Sequence, residues 1–233
     1  GARDFILNFK PEAIVHLAAQ MDVRKSVENP SFDAQVNVAG IANVLQAAVD
    51  AGTKSFVFSS TGGALYGEAD VIPTPESYAI QPEAPYGLSK WCGEHYLNFF
   101  NRTAGLRTVA LRFGNVYGPR QDPHGEAGVV AIFSQRLLKD EPLKVFGDGK
   151  QTRDYVYVGD VAQAIYGAAT KDGVQGVFNI GTGIGTDVLT LIEHLSAAAG
   201  KEGEPAFEAA RSGELQHSAL DASSVGEALG WKA

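Results

Sequence analysis

The sequence is poor in cysteine and contains neither a long apolar run nor a cluster of basic residues. Cys92 is the only cysteine among 233 residues, so an internal disulfide is impossible, which favours a reducing compartment. No apolar stretch approaches the roughly 18 residues that a membrane span needs. Gly1–Phe9 carries charges and lacks the apolar core of a secretion signal. We therefore expect a cytoplasmic protein that does not enter the membrane.

The charge balance argues against two further classes of protein. The formal net charge is −8, and the lysines and arginines form no run that could follow a nucleic-acid backbone. The five histidines and the single cysteine form no close cluster of the zinc-ligand type. We expect no nucleic-acid partner and no metal. A small anionic ligand is still compatible with this composition, because a local arginine can hold a phosphate.

Short apolar runs alternate with helical patterns along the chain. The runs are continuous, which is typical of strands in a parallel sheet covered on both faces, and they are Ala13–Ala19, Ser55–Thr61, Thr108–Phe113 and Gly176–Ile180. Apolar residues spaced close to the helical period predict helices at Phe32–Ala51, Pro85–Ala104, Val129–Lys139, Asp160–Thr170 and Asp187–Ala199. The alternation predicts an α/β fold with a doubly wound parallel sheet.

Loop-rich regions interrupt this alternation in the second half of the chain. We predict that residues 119–153 and 184–233 form a small C-terminal substrate lobe. Residues 1–118 and 154–183 are then the sheet domain. The lobe is interpreted as a set of insertions, since a chain of this length suits one large domain with a small appendage.

Tyr86 and Lys90 are the first candidates for chemistry. They stand four positions apart in a predicted helix and therefore share a face. A cationic lysine favours the phenolate and lowers a pKa that starts near 10, so that the phenol could act as a base. The same spacing also occurs by chance on amphipathic helices, and the pair alone does not establish a site.

Small and polar residues supply further candidates. Ser59–Gly63 (SSTGG) ends a predicted strand, and sites in open α/β sheets lie outside the carboxyl ends of the strands. An ordinary strand-to-loop turn is the alternative. Asn115, Arg153 and Arg211 could together hold a diphosphate, although isolated arginines are more often only solvated. Their spacing does not by itself bring them together.

Eight motifs, taken in order, resemble those of the UDP-sugar 4-epimerases within the extended short-chain dehydrogenases. They are IVHLAAQ, NVAG, FVFSSTGGALYGE, PYGLSK, LRFGNVYGPRQ, VFGDGKQTRDYVYVGDVA, FNIGTG and RSGE. The resemblance runs through nearly the whole chain and implies a Rossmann-type sheet. It implies NAD as cofactor, a UDP-sugar as substrate, and interconversion of UDP-glucose and UDP-galactose at C4 through a 4-keto intermediate.

The resemblance assigns roles around the cofactor. Tyr86 matches the residue that exchanges a proton with the sugar 4-hydroxyl, and Lys90 the one that lowers the tyrosine pKa and binds the nicotinamide ribose. Thr61 matches the hydroxyl that orients the 4-oxygen, with Ser60 as the alternative one position earlier. Tyr86 and Lys90 also count among the cofactor-binding residues, whose other members are Leu17, Ala18, Ala19, Ser59 and Ser60.

Further matches concern the nucleotide sugar and the fold. Arg153 and Arg211 match diphosphate-binding arginines, and Asn115 matches an amide that contacts the same group. Asn37 and Asp154 match residues that maintain the fold. The remaining matches surround the uracil and the nucleotide ribose: Val145, Phe146 and Glu214.

Two departures from the family pattern shape the expected function. Relatives that dehydrate or decarboxylate the sugar carry a carboxylate just after the Ser/Thr, where this chain has Gly62 and Gly63, which favours plain epimerisation or oxidoreduction. The family's GxxGxxG loop for the cofactor pyrophosphate has no counterpart. Gly181–Gly185 (GTGIG) is a poor substitute, since it falls in a later motif.

The lack of a GxxGxxG loop leads to three expectations. We expect weakened NAD affinity, an incomplete sheet with Ala13–Ala19 at an open edge, and association into dimers or larger species. The helices Phe32–Ala51 and Pro85–Ala104 are the surface that relatives use for dimerisation. Two alternatives to a working epimerase stay open at this point. They are a non-catalytic nucleotide-sugar binding fragment and an inert fragment.

Overall fold

A four-stranded parallel sheet forms the centre of the computed structural model, which describes residues 1–124, 128–211, 213 and 215–233. Numbered along the chain, its strands lie in the order β1 (Ala13–His16), β2 (Ser55–Thr61), β3 (Arg107–Phe113) and β7 (Gly176–Ile180). Every neighbouring pair is parallel, so the carboxyl ends of all four strands lie at the same end of the sheet. The predicted α/β class is confirmed.

Helices cover both faces of the sheet, as the continuous apolar strands predict. The helices α4 (Gly40–Ala51) and α5 (Pro85–Ala104) pack on one face, and α7 (Val158–Thr170) and α9 (Ser223–Leu229) pack on the other. The remaining elements are α1 (Ala2–Phe9), α2 (Val23–Glu28), α3 (Pro30–Ala34), β4 (Asn115–Tyr117), α6 (Val129–Leu138), β5 (Leu143–Phe146), β6 (Thr152–Tyr157), β8 (Gly185–Asp187), α8 (Val188–Ala199) and β9 (Pro205–Glu208). Among the described helices, none is both long and apolar enough to cross a membrane.

The alternation of side chains along β2 decides which residues reach which helix layer. Phe56 and Phe58 lie in the core shared with α4 and α5, whereas Val57 lies in the core shared with α7. Side chains of a strand point alternately to opposite faces. Ser60 therefore points towards α5, and Thr61 points to the opposite face.

The predicted helix Phe32–Ala51 is interrupted. A π-helical segment, Gln35–Ala39, separates α3 from α4. It contains Asn37, which is 5% exposed. The Asn37 side chain accepts the Gln20 backbone N–H and donates to the Gln20 carbonyl, both at 2.8 Å. The wider turn fits this amide against the chain after β1, in agreement with the structural role that the resemblance implies.

A third apolar core lies in the region predicted as the substrate lobe. Its buried residues come from α6, β5 and α8: Phe133, Leu137, Leu143, Val145, Val188, Leu191 and Ile192. The strand β5 pairs with β9, and β6 pairs with β4 and β8. Val225 and Trp231, in contrast, pack with the core beside the sheet. The C-terminal residues therefore do not follow the predicted division, which otherwise stays a prediction.

Asp154, on β6, connects the small sheet β4–β6–β8 to the chain after β7 and to Leu220 through four hydrogen bonds. Its carboxylate is 1% exposed and accepts the backbone N–H and the hydroxyl of Thr182, both at 2.7 Å. It also accepts the backbone N–H groups of Gly183 and Leu220, both at 3.0 Å. Two amides of the GTGIG loop, those of Thr182 and Gly183, are therefore committed to the fold and are not free for a phosphate.

The edge of the sheet at β1 is apolar and open. Within the described residues, β1 pairs with β2 alone. Val15 is 40% exposed and Leu17, just after the strand, is 57% exposed. Association with another chain through this edge stays a prediction.

Candidate active site

The helix α5 begins beside the end of β2, and a distant serine holds its first turn. The N-cap residue Ala84 provides no side-chain hydrogen bond. Ser26, on α2, accepts the backbone N–H of Tyr86 at 3.2 Å and donates its own hydroxyl to the Val23 carbonyl at 2.6 Å. Because Ser26 is fully buried, it satisfies one of the unpaired N–H groups that every helix start leaves.

A close approach of two backbones sets the position of Tyr86. A Cβ atom on Gly87 would lie 2.3 Å from the carbonyl oxygen of Ala64, in the loop that follows β2. No larger residue fits there without moving the helix. The first turn of α5 therefore rests directly on the loop after the strand, next to Thr61.

Lys90 is buried with its ammonium group at the carboxyl end of β2. The side chain is 3% exposed, and its Nζ donates to the Ser59 carbonyl at 2.7 Å. Nζ lies 4.8 Å from the ring centre of Phe58 and 5.8 Å from that of Tyr86. An ammonium has three donors. Those not used for Ser59 suit the hydroxyl groups of a ribose, which is the chemistry expected of a nicotinamide-ribose contact.

The pKa of Tyr86 departs from the expectation. Burial, followed by the negative charge of Asp33, raises it to about 12. Burial lowers the pKa of Lys90 to about 8, and Asp33 partly opposes that change. This direction is opposite to the lowering of the Tyr86 pKa that the resemblance implies, and the role of Lys90 in that lowering stays a prediction. Both causes act in the same direction, since loss of water and a nearby negative charge each disfavour the phenolate.

The structure separates the two candidate hydroxyls, Ser60 and Thr61. Ser60 is 4% exposed and donates to Glu94 Oε1 at 2.6 Å. Glu94 also accepts Nε and Nη2 of Arg112 at 2.9 and 2.7 Å. The Ser60 hydroxyl is therefore part of the interior packing. Thr61 is half-buried and accepts the backbone N–H of Ala64 at 3.3 Å, so we favour Thr61 as the hydroxyl of the site.

Arg112 extends this buried polar network across the sheet. Its Nη1 donates to the Tyr66 hydroxyl at 2.7 Å, and that hydroxyl donates to Asn179 Oδ1 at 2.8 Å. The backbone N–H of Asn179 in turn donates to Glu76 Oε1 at 2.8 Å. Glu94 and Arg112 are not among the residues predicted from the sequence. The sequence does show Arg112 as a charged residue inside an apolar strand, and Glu94 as another charged residue one helical turn after Lys90.

The residues predicted to line the cofactor lie at the carboxyl ends of β1 and β2. Ser59 donates its hydroxyl to the His16 carbonyl at 3.3 Å, and the exposed Leu17 and Ala18 follow directly, before the half-buried Ala19. Burial, with a smaller effect of the Lys90 charge, lowers the pKa of His16 to about 4. His16 is thus neutral near pH 7. An exposed apolar segment beside a buried lysine fits the nicotinamide end of NAD.

Asn115 and Arg153 lie where the lobe meets the sheet. Asn115 opens β4, and its Oδ1 would be 4.0 Å from a Cβ atom on Gly63. Its amide therefore faces the loop after β2. Arg153, in β6, donates to the Thr152 carbonyl at 2.8 Å. The strand β4 thus places an amide close to the loop that follows Thr61.

Of the two residues predicted to surround the uracil, one is buried in a core and one is partly exposed. Phe146 is half-buried, and the guanidinium carbon of Arg211 lies 3.7 Å from its ring centre. Val145 is fully buried in the core of the lobe. Because neighbouring strand residues face opposite sides, the Phe146 side chain points away from this core, and the uracil contact of the two residues stays a prediction. Glu214 lies outside the described residues.

Comparison with known proteins gives the family. The family model described as "NAD dependent epimerase/dehydratase family" matches residues 2–181. The chain belongs to this family. It is 46% identical over 227 residues to a UDP-glucose 4-epimerase of Mycolicibacterium smegmatis, and the match covers 97% of this chain and 72% of that protein.

Two solved structures resemble this member of the family throughout its length. A UDP-glucose 4-epimerase of Thermotoga maritima, crystallised with UDP-glucose, superimposes with a TM-score of 0.95 at 47% identity, over 99% of this chain and 75% of that one. A UDP-glucose 4-epimerase of Thermus thermophilus in complex with NAD gives 0.91 at 43% identity, over 99% and 75%. The Rossmann-type sheet, the enzyme class and the dependence of the family on NAD are thereby confirmed.

Proposed function

We propose that this chain interconverts UDP-glucose and UDP-galactose at C4. The proposal rests on the position of Tyr86 and Lys90 on α5 at the carboxyl end of β2, the strand that ends with Thr61. The close approach of Gly87 to the Ala64 carbonyl fixes α5 against the loop after that strand. Similarity to UDP-glucose 4-epimerases at 46% and 47% identity supports the same reaction.

The proposed chemistry assigns one task to each side chain. Tyr86 takes the proton of the sugar 4-hydroxyl while the C4–H bond of the sugar breaks. After the resulting 4-keto sugar has rotated in the site, Tyr86 returns that proton to the 4-oxygen. Thr61 holds the 4-oxygen by a hydrogen bond. NAD⁺ held at Lys90 would supply the hydride acceptor for C4 and the hydride donor for the opposite face of the 4-keto sugar. Lys90 binds the nicotinamide ribose and places a positive charge beside Tyr86.

Packing after Thr61 supports epimerisation without a further acid. A Cβ atom on Gly62 would lie 2.5 Å from Cδ1 of Leu220, so a carboxylate at that position would require Leu220 to move. Gly63 also lacks a side chain, and its nearest neighbour would be the Asn115 amide oxygen at 4.0 Å. No residue at these two positions can therefore remove a second proton from the 4-keto sugar.

The nucleotide end of the substrate is proposed to lie in the lobe. The Phe146 ring offers a face for the uracil, and Arg211 now covers that ring at 3.7 Å. Arg153, Arg211 and Asn115 supply donors for the diphosphate, and Glu214 is proposed for the nucleotide ribose. The Thr182 and Gly183 amides of the GTGIG loop serve Asp154 and are not proposed as a phosphate site.

A second copy of the chain is proposed to pack against α5. Leu88, Tyr96 and Phe99 are 50%, 39% and 48% exposed, and their spacing places them along one face of the helix. Exposed apolar stripes of this kind mark interaction surfaces. Light scattering should show a dimer or larger species that Tyr96→Glu with Phe99→Glu converts to monomer. A monomeric parent chain would contradict this proposal.

Turnover and binding measured side by side test the proposed function. The purified chain with UDP-galactose and excess NAD⁺ should form UDP-glucose, followed by NMR of the sugar anomeric protons. Calorimetric titrations with UDP and with NAD⁺ accompany the assay. Binding of UDP without any turnover at high protein concentration would reject the epimerase and support the non-catalytic binding fragment.

A further inference from the structure

A buried carboxylate that the proposed chemistry does not use lies against the helix that carries Tyr86 and Lys90. Asp33, on α3, is fully buried. Its Oδ1 accepts Nε2 of Gln20 and Nδ2 of Asn37, both at 3.0 Å. Its Oδ2 accepts the hydroxyl of Ser89. These donors are neutral, so they satisfy the oxygens without cancelling the charge, and a buried charge of this kind is costly to keep.

The hydrogen bonds of Asp33 fix both its position and its direction. Gln20 and Asn37 hold one oxygen from the side of β1 and the π-helical segment. Ser89 holds the other, and it stands on α5 between Tyr86 and Lys90. The carboxylate therefore cannot turn away from α5. Its negative charge acts on both members of the pair, and in each case it raises the pKa.

We propose that Asp33 is a positioning residue for the Tyr86–Lys90 pair, which anchors their helix through Ser89 and keeps Lys90 in its ammonium form. Burial favours a neutral lysine, and a neutral Lys90 would lose the charge that the pair needs. A fixed anion opposes that loss. The catalytic meaning of this inference rests on the proposed function, whereas the effect of the charge is measurable without turnover.

The other charged groups near the pair do not act in the same way. His16, on β1, has a pKa lowered by burial and by Lys90, and is neutral near pH 7. Glu94, one turn after Lys90, is paired with Arg112 at 2.7 Å. The charged side chains of α2, which packs against α3 and α5, are exposed to solvent and screened: Arg24, Lys25 and Glu28.

Asp33→Asn and Ser89→Ala separate the charge from the hydrogen bond. Asparagine has the size of aspartate but no charge, whereas Ser89→Ala keeps the charge and removes one donor. The titration of Lys90 is followed by carbon-13 NMR of the chain labelled at the lysine Cε, with Lys90→Gln to identify the signal. The parent midpoint is expected at about 8.

In Asp33→Asn we expect the Lys90 midpoint to move to lower pH, by more than the scatter among the exposed lysines. The sign follows because the neutral variant no longer favours the ammonium form. Ser89→Ala should leave the midpoint in place. An unchanged or higher midpoint in Asp33→Asn would overturn the proposal. If that variant does not fold, Asp33→Ser is measured with the same signal.

The pH profile of turnover adds a readout that a purely structural role would not move. Asp33→Asn should shift the basic limb of kcat/KM to lower pH, because the Lys90 ammonium that the pair needs then loses its proton at lower pH. Ser89→Ala should lower kcat without shifting the limb. If the chain turns over no UDP-galactose at all, the proposed function fails, and the NMR titration still decides the charge effect of Asp33.

Discussion

Replacing Tyr86 by phenylalanine is expected to lower the turnover of UDP-galactose by about 100- to 10,000-fold, the usual contribution of a positioned acid–base group. The variant removes one hydroxyl and keeps the ring that packs beside Lys90 at 5.8 Å. The nucleotide is proposed to bind in the lobe, away from this hydroxyl. Steady-state kinetics and a UDP titration should therefore show a lost kcat with unchanged UDP affinity.

A matched substitution controls for the loss of a tyrosine hydroxyl as such. Tyr166, on α7, is 72% exposed, and Tyr166→Phe should retain the parent kcat. Retention of full activity in Tyr86→Phe would show that another group takes the proton. Equal losses in both variants would trace the effect to the fold and not to the chemistry.

Replacing Glu94 by alanine is expected to lower the free energy of unfolding by about 3–5 kcal/mol, because it leaves a buried guanidinium without its carboxylate. Glu94 and Arg112 are each 6% exposed at their side chains and meet at 2.7 Å. The Ser60 hydroxyl loses its acceptor in the same variant. Urea unfolding followed by circular dichroism measures the change.

An exposed ion pair provides the control for Glu94→Ala. Asp50 meets Arg3 at 2.7 Å with side chains 31% and 52% exposed, and Asp50→Ala should cost less than about 1 kcal/mol. The double variant Glu94→Met with Arg112→Leu should be more stable than Glu94→Ala, since it removes both charges. A loss in Glu94→Ala as small as that in Asp50→Ala would contradict the prediction.

The stability prediction bears on the site because Glu94 and Lys90 stand on one face of α5. Glu94 binds the Ser60 hydroxyl, and Thr61 is the next residue of β2. The ion pair therefore holds the end of β2 against α5 at the level of the proposed site. Glu94 and Arg112 take no part in the proposed reaction, but their ion pair helps to fix the distance between α5 and the end of β2.

The local pattern of the sequence determined most of the secondary structure. Ser55–Thr61 and Gly176–Ile180 are strands with the predicted bounds, and Pro85–Ala104 is a helix with the predicted bounds. These elements follow from apolar periodicity and from the proline and glycine at their ends, which are local properties. The family and the Rossmann-type sheet were also evident from the order of the motifs.

The sequence did not predict the break at Gln35–Ala39, because its cause is not local. The apolar spacing of Phe32–Ala51 agrees with one helix, and the π-helical segment coincides with hydrogen bonds from Asn37 to Gln20. A side chain that bonds a residue 17 positions away in the sequence reveals its partner only in the folded chain.

The sequence by itself therefore determined the fold class, the family and the residue types of the proposed site. The tertiary structure decided which of them work together. Strand alternation turns Ser60 towards Glu94 and places Val145 in a core. Burial raises the pKa of Tyr86 to about 12, where spacing alone had suggested the opposite direction. Desolvation and the charge of Asp33 depend on which atoms surround a group in space, and a linear sequence does not contain that information.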